Sequence, residues 1–300
     1  MPGAARRLSG ETTSADGTAI AFDRYGSGPA IVLVHGAFTD KGHATLAGVA
    51  AALAPWFTVF NYDRRGRGGS GDTRPYGVGR EIEDLAAVVE AAGGSAMVFG
   101  GSSGAALALE AAARTAAHPA AARTAAARLT GSAPDVSTGG AAADVVPVIS
   151  RLAVWEPPYH VDGGAPELPL DFAAQLDALV RAGRRGEAVE RFMVEAAEAP
   201  AEAVAAMRAQ PSWAGAEAIA HTLAYEAAVV GPGNALPADR LATIALPTLV
   251  LNGSDSPAWM RNAGSAVARA VPGAVRRVLE GQAHNVAPEA LIPELLEFFA

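Results

Sequence analysis

The chain has 300 residues and no cysteine, and this absence removes several kinds of chemistry at once. Without thiols there are no disulfide bonds, no thiolate-bound metal ions and no cysteine nucleophile. Lysine is also nearly absent, with Lys41 as the sole example, whereas alanine is abundant throughout. The chemistry of this protein must therefore be sought in other residue types.

Long apolar runs and an excess of positive charge are missing as well. Half of the residues are hydrophobic, yet no run approaches the ~18 apolar residues that are needed to cross a bilayer. Residues 1–17 are small and polar and lack the apolar core of a secretion signal. The formal net charge of −8 gives no electrostatic footprint for nucleic acid. We expect a cytoplasmic protein with a small-molecule substrate, no nucleic-acid or membrane partner, no cofactor and no metal, and we leave a homodimer open.

Short β-type runs alternate with helical patterns along most of the chain. Runs such as Ile31-Val32-Leu33-Val34 are apolar throughout, which is typical of parallel strands that helices cover on both faces. The sequence therefore predicts an α/β protein with a mostly parallel central sheet flanked by helices, and its ligand is expected at the carboxyl ends of the strands. The predicted strands are 19–25, 30–35, 57–62, 96–100, 152–155, 248–252 and 275–279.

Two segments interrupt this alternation. Residues 157–243 show helical patterns without strands, so we predict an α-helical cap laid over the strand ends. The core then comprises residues 1–156 and 244–300, with an alanine-rich insertion near 114–150, of which 131–143 have a loop-like composition. We expect apolar side chains of the cap to line a pocket, namely Phe172, Phe192, Met193, Trp213 and Tyr225.

One short motif follows the apolar strand around residue 98. Residues 98–104 read Val-Phe-Gly-Gly-Ser-Ser-Gly, and the helix-forming run Ala-Ala-Leu-Ala-Leu-Glu comes directly after them. In this order of strand, tight turn and helix, a G-x-S-x-G motif holds a serine hydroxyl above the sheet. Glycines at 100 and 104 remove the Cβ atoms that would collide in such a turn. The context favours Ser102 as a nucleophile over a chance loop serine.

A serine hydroxyl is a weak nucleophile at neutral pH and requires a base within hydrogen-bond reach. Among the six histidines, His284 has the most suitable place, since it follows the predicted strand 275–279 and precedes the last helix. A loop there would hold the imidazole above the same sheet edge as Ser102. The alternative is a solvent-exposed loop histidine. His35 ends a buried strand, and we expect its ring to order the following loop.

A tetrahedral intermediate requires hydrogen-bond donors for its negatively charged oxygen. The backbone N–H of Ser103, which follows the nucleophile, supplies the first donor. The second is expected from the loop after the strand 30–35, where we favour Ala37 over its neighbour Phe38.

The acid that would orient His284 has two candidates. Glu156 directly follows the predicted strand 152–155, and Asp255 follows the strand 248–252. Both lie at the carboxyl edge of a parallel sheet, where such an acid can stabilise an imidazolium. Either could also be an ordinary loop carboxylate that caps a turn. The residues alone leave the choice open.

Four motifs in this order resemble the α/β-hydrolase fold, in particular capped enzymes of the esterase, lactonase and haloperoxidase type. They are His35-Gly36, the D-x-R-G-x-G-x-S-like segment from Asp63 to Ser70, the Gly100-x-Ser102-x-Gly104 motif and Gly281-x-x-His284. The resemblance covers the chain from about residue 17 to the end, apart from the cap and the alanine-rich stretch. It implies a structural role for the segment from Asp63 to Ser70.

The resemblance also bears on the acid and on the reaction. The family often places its acid in G-x-x-D-P, and here that position is Ser256, so the usual carboxylate is missing or shifted by one residue to Asp255. Some members take the acid from the preceding strand end, which favours Glu156 over Asp255. A serine at the elbow implies hydrolysis of an ester, lactone or thioester. Carbon–carbon bond hydrolysis, perhydrolysis and a non-catalytic small-molecule receptor are the alternatives.

Overall fold

The computed structural model describes residues 7–117 and 145–300. Its centre is an eight-stranded sheet in the order β1-β2-β4-β3-β5-β6-β7-β8. The strands are β1 (Leu8–Thr13), β2 (Ala19–Tyr25), β3 (Ala30–Val34), β4 (Thr58–Tyr62), β5 (Ala96–Gly101), β6 (Ile149–Trp155), β7 (Thr248–Gly253) and β8 (Val275–Leu279). The predicted loop at 131–143 lies outside the described residues.

The sheet is parallel from β4 to β8, and β1 and β2 are joined to it in antiparallel pairs. The strand order reverses at β3, because β4 lies on one side of it and β5 on the other. In such sheets the crevice outside the strand ends at the reversal point is the usual ligand site. The loops that follow β3 and β5 meet there. The mostly parallel sheet confirms the predicted fold class.

Helices cover both faces of the sheet. Alternate residues of a strand point to opposite faces, and in β3 Val32 packs into one apolar cluster while Leu33 packs into another. The first cluster includes α2 (Val78–Ala91), α3 (Ser103–Ala117) and α10 (Ala258–Ala270), and the second includes α1 (Ala44–Leu53) and α11 (Pro288–Phe299). This double burial explains why the strands read as continuous apolar runs.

The predicted strands omit β1, which has the sequence Leu-Ser-Gly-Glu-Thr-Thr. Most of its side chains are exposed or half-buried at the sheet edge. An edge strand of this kind buries too little apolar surface to leave a pattern of alternating hydrophobic residues.

The segment between β6 and β7 adds helices and no further strand within the part of the chain that the structure describes. We call these the inserted helices: α4 (Phe172–Arg181), α5 (Arg185–Arg191), the π-helix Phe192–Ala196, α6 (Ala201–Arg208), α7 (Trp213–Ala218), α8 (Leu223–Val230) and α9 (Ala238–Leu241). They have an apolar cluster of their own, centred on residues such as Leu176, Val189 and Leu223. The domain boundaries given above stay a prediction. Of the described helices, none has the length and apolar character that a bilayer crossing requires.

Candidate active site

Ser102 lies in a sharp turn between β5 and α3. Its φ of +56° is in the left-handed region, which costs energy for a residue with a side chain. A Cβ at Gly100 would lie 2.5 Å from the carbonyl oxygen of Gly104, and a Cβ at Gly104 would lie 2.4 Å from that of Val34. Both glycines of the motif are therefore required by close backbone approach, as the sequence predicts for a nucleophile elbow.

Glu156 follows the neighbouring strand, since β5 and β6 pair through Gly101 and Trp155. Its side chain is fully buried, and its Oε2 lies 2.9 Å from Nδ1 of His284. The backbone N–H of Gly253 donates to the other carboxylate oxygen at 2.8 Å. The carboxylate is thus fixed at both oxygens and faces one nitrogen of the imidazole.

The alternative acid, Asp255, lies elsewhere. Its side chain is exposed, and its Oδ1 accepts a hydrogen bond from the hydroxyl of Ser254 at 2.8 Å. Ser256, at the position where the family often has its acid, is buried, and its hydroxyl has no hydrogen-bond partner among the described residues. Of the two candidates, the structure brings Glu156 to His284.

Ser102 and His284 line one cavity of about 710 Å³ at the carboxyl edge of the sheet. Both side chains lie in the described part of the chain, and no direct hydrogen bond joins them. Catalytic hydrogen bonds often tighten only when substrate binds.

The residues of the two predicted oxyanion donors, Ala37 and Ser103, both line the cavity. Ser103 is the first residue of α3, where backbone N–H groups have no acceptor within the helix. Ala37 and Phe38 both line the cavity in the loop after β3. A Cβ at Gly36 would lie 3.0 Å from Cβ of Ser102, so this loop and the elbow approach each other closely.

The cavity lining is largely apolar. Phe172 and Phe192 line it as expected, and the Phe192 ring packs edge-on against Phe38 at 5.6 Å. Met193, Trp213 and Tyr225 are not among the lining residues, because they pack within or beside the inserted helices. The charged side chains of the described lining are the carboxylates of Glu198 and Glu226, and neither lysine nor arginine lines it.

Next to the loop after β3 lies a buried cluster of four charges that sequence reasoning did not identify. We call Arg64, Arg67, Glu81 and Glu226 the buried charge cluster. Arg64 makes a two-pronged ion pair with Glu81 at 2.7 and 2.8 Å, and its Nη1 donates to Glu226 at 2.7 Å. Arg67 also pairs with Glu226. Two cations face two carboxylates, so the formal charges cancel.

Burial alone would raise the pKa of Glu81, but the charge and hydrogen bonds of Arg64 lower it below its usual value. Burial, followed by the repulsion of Arg64, lowers the pKa of Arg67 to about 9, which leaves the guanidinium protonated at pH 7. One feature of the sequence could have pointed to Glu226, the carboxylate that the inserted helices contribute to this cluster. Glu226 is the sole charged residue in α8, which reads Leu-Ala-Tyr-Glu-Ala-Ala-Val-Val.

His35 is fully buried and is among the residues that line the cavity, in accord with a role in ordering the loop. Its Nε2 lies 2.5 Å from Oδ1 of Asn61, while Nδ1 has no partner among the described residues. Burial lowers the pKa of His35 to about 4. The ring is therefore neutral at pH 7, and Nε2 carries the proton that it donates to Asn61.

A sequence model described as the alpha/beta hydrolase family matches residues 31–293 of this chain. The chain belongs to the alpha/beta hydrolase family. An alpha/beta hydrolase from Sphaerobacter thermophilus DSM 20745 is 48% identical, with a TM-score of 0.80 over 97% of this chain and 100% of that one.

Other similar proteins are more distant or match over a shorter length. The uncharacterized hydrolase YraK of Bacillus subtilis is 38% identical over 114 residues, which span 36% of this chain and 40% of YraK. The enol-lactonase from Burkholderia xenovorans LB400 is 19% identical, with a TM-score of 0.62 over 96% of this chain and 99% of that one. At that identity the likeness shows the fold alone. Together these findings support a hydrolase of this family and leave its substrate open.

Proposed function

We propose that the protein is a serine hydrolase that cleaves a small, apolar, uncharged ester, lactone or thioester through an acyl-enzyme. The observation that carries the proposal is the pairing of His284 with the buried carboxylate of Glu156, at 2.9 Å, in the cavity that Ser102 also lines. A fixed carboxylate on one imidazole nitrogen leaves the other free to act as a base.

In the proposed reaction, the Ser102 hydroxyl attacks the substrate carbonyl and its proton passes to Nε2 of His284. The imidazolium is stabilised by Glu156 and then gives this proton to the departing alcohol or thiol. A water molecule, deprotonated by the same imidazole, attacks the acyl-enzyme, and the carboxylic acid product leaves with Ser102 restored.

The negatively charged oxygen of both tetrahedral intermediates would be held by the backbone N–H groups of Ser103 and Ala37. Preorganised donors of this kind typically change the rate by about 10²–10³ each. The close approach of Gly36 to Ser102 supports their placement on one side of the reacting carbonyl.

The charge of the cavity supports an uncharged substrate. Its described lining is mostly apolar and contains no lysine or arginine. Of its two carboxylates, Glu226 is already paired with Arg64 and Arg67. A substrate carboxylate would lose its hydration there without gaining an ionic partner, which is unfavourable. A cytoplasmic location and independence of cofactors and metals stay predictions, and a homodimer stays open.

Reaction with a fluorophosphonate probe and hydrolysis of p-nitrophenyl butyrate test the proposal. The wild type is expected to be labelled and to release nitrophenol with a burst, and Ser102→Ala should lose both. Ser265→Ala is a suitable control, because this hydroxyl on α10 bonds the carbonyl of Arg261 and does not line the cavity. A wild type that neither reacts with the probe nor cleaves the ester would favour the non-catalytic receptor.

A further inference from the structure

The peptide group between Gly36 and Ala37 has a polar partner on its carbonyl side. Arg67 Nη1 donates to the carbonyl oxygen of Gly36 at 2.5 Å and to that of Thr39 at 3.1 Å. In a planar trans peptide the C=O and N–H point in opposite directions. A group that fixes the Gly36 carbonyl therefore also fixes the direction of the Ala37 N–H.

Arg67 is itself held from the inserted helices. Its side chain is 2% exposed, and its Nη2 pairs with Oε1 of Glu226 on α8. The second oxygen, Oε2, accepts hydrogen bonds from Arg64 at 2.7 Å and from the hydroxyl of Ser103 at 2.5 Å. One carboxylate thus contacts Ser103, and through Arg67 the Gly36–Ala37 peptide, which are the two sources of the oxyanion donors.

We propose that Arg67 and Glu226 are positioning residues that orient and polarise the oxyanion hole. Because Glu226 belongs to α8, the geometry of the oxyanion hole then depends on the placement of the inserted helices. This inference rests on the proposed function. A cation at a peptide carbonyl draws electron density towards the oxygen and strengthens the N–H of the same peptide as a donor. Inside a buried site such fixed dipoles act without reorganisation when charge develops.

The segment from Asp63 to Ser70 contains a control for this idea. Arg65 makes a two-pronged pair with Asp84, with both bonds at 2.7 Å and both side chains almost fully buried. This pair has the same chemistry as the pair between Arg64 and Glu81, but it bonds neither the loop after β3 nor Ser103. Asp84→Asn and Glu226→Gln each remove one buried carboxylate charge that is paired with arginine. Of the two carboxylates, Glu226 bonds Ser103 and, through Arg67, is linked to the loop after β3, whereas Asp84 has neither connection.

The experiment compares the wild type with Arg67→Met, Arg67→Lys, Glu226→Gln and Asp84→Asn. The concentration of active sites is first counted with the fluorophosphonate. For each variant we would measure kcat and KM for p-nitrophenyl butyrate and the inhibition constants of two ligands. 1,1,1-Trifluoroheptan-2-one forms a tetrahedral oxyanion with a serine, whereas heptan-2-one occupies the same pocket without doing so.

For Arg67→Met we expect kcat per active site to fall by about 10–100-fold and the trifluoromethyl ketone to bind weaker by a similar factor. KM and the binding of heptan-2-one should stay within about threefold, because the pocket walls are unchanged. Glu226→Gln should change the same two quantities in the same direction by a smaller factor. Arg67→Lys, which keeps the charge, should recover part of the loss, and Asp84→Asn should leave every quantity per active site within about threefold.

A merely structural role would lower the number of active sites and leave trifluoromethyl ketone binding at those sites intact, and that result would overturn the inference. Equal behaviour of Glu226→Gln and Asp84→Asn would overturn it too, and this comparison remains decisive if Arg67→Met does not fold. If the wild type is active, neither of these two results contradicts the proposed function. A wild type that reacts with neither the fluorophosphonate nor the ester overturns both.

Discussion

Replacing Glu156 with glutamine tests the assignment of the acid more sharply than any truncation, because the side chain keeps its shape. The N–H of Gly253 donates to Oε1 at 2.8 Å, so the introduced amide must place its oxygen there. Its NH₂ group then faces Nδ1 of His284, where Oε2 now lies at 2.9 Å. An NH₂ group can only donate, and Nδ1 must therefore become the acceptor.

The consequence is a change of tautomer at His284. The imidazole proton moves to Nε2, the nitrogen that must accept the proton of Ser102, and the imidazolium also loses its counter-charge. The corresponding change in serine proteases lowers kcat by about 10⁴. We expect a loss of about 10³–10⁴ here, equivalent to about 4–5.5 kcal/mol of transition-state stabilisation.

The assay is hydrolysis of p-nitrophenyl butyrate at pH 8, normalised to active sites counted with the fluorophosphonate over long reaction times. Asp255→Asn is the matched control, because Asp255 is exposed and bonds Ser254 rather than His284. We expect its rate to stay within about threefold of the wild type, as for other exposed side chains. The reasoning is wrong if Glu156→Gln keeps more than a tenth of the wild-type activity. It is also wrong if Asp255→Asn loses more activity than Glu156→Gln.

Three further predictions concern pH, sterics and charge. The pKa of His35 falls from 6.5 to about 4 on folding. Between these two values the unfolded chain binds a proton at His35 and the folded chain does not. The free energy of unfolding therefore decreases by about 1.4 kcal/mol per pH unit as the pH falls from 6.5 to 4. Urea unfolding should show this slope in the wild type and a shallower one in His35→Gln; equal slopes would contradict the burial argument. Gly36→Ala places a methyl group 3.0 Å from Cβ of Ser102 and should lower kcat by at least about tenfold. Its near-UV circular dichroism spectrum, which reports tertiary structure, should resemble that of the wild type. The p-nitrophenyl ester of 5,5-dimethylhexanoic acid should be cleaved at least about tenfold faster than that of glutaric acid, which bears a carboxylate, and equal rates would refute the charge argument.

Local spacing predicts the parts of the site that belong to one strand and its following turn. Ser102 is recognisable because the strand, the two glycines and the helix are consecutive in sequence, and His284 because it follows a predicted strand. The acid was ambiguous, since Glu156 and Asp255 both follow strands that end at the same edge. Which carboxylate reaches the imidazole depends on side-chain direction across neighbouring strands, which local spacing does not specify. The family resemblance, and not the spacing, is what favours Glu156.

Glu226 was not predicted for a related reason. It is 159 positions from Arg67 along the chain and 123 from Ser103. Spacing rules relate residues within one turn or one helix, and they do not reach across such separations. A lone charge in an apolar helix was the available signal, and it indicates burial against a partner without naming the partner.

The buried charge cluster is better explained by orientation than by stability. Removing two guanidinium groups and two carboxylates from water costs about as much as their ion pairs return, so well-packed apolar side chains would often serve a fold equally well. Apolar replacements of the two arginines would, however, leave the carbonyls of His35 and Gly36 without the donors that they now have at 3.0 and 2.5 Å. A loop whose carbonyls are free can rotate its peptide groups, and the Ala37 N–H would then lose its fixed direction. Arginine suits this task because its planar fork can bond a loop carbonyl and a carboxylate of another segment at the same time.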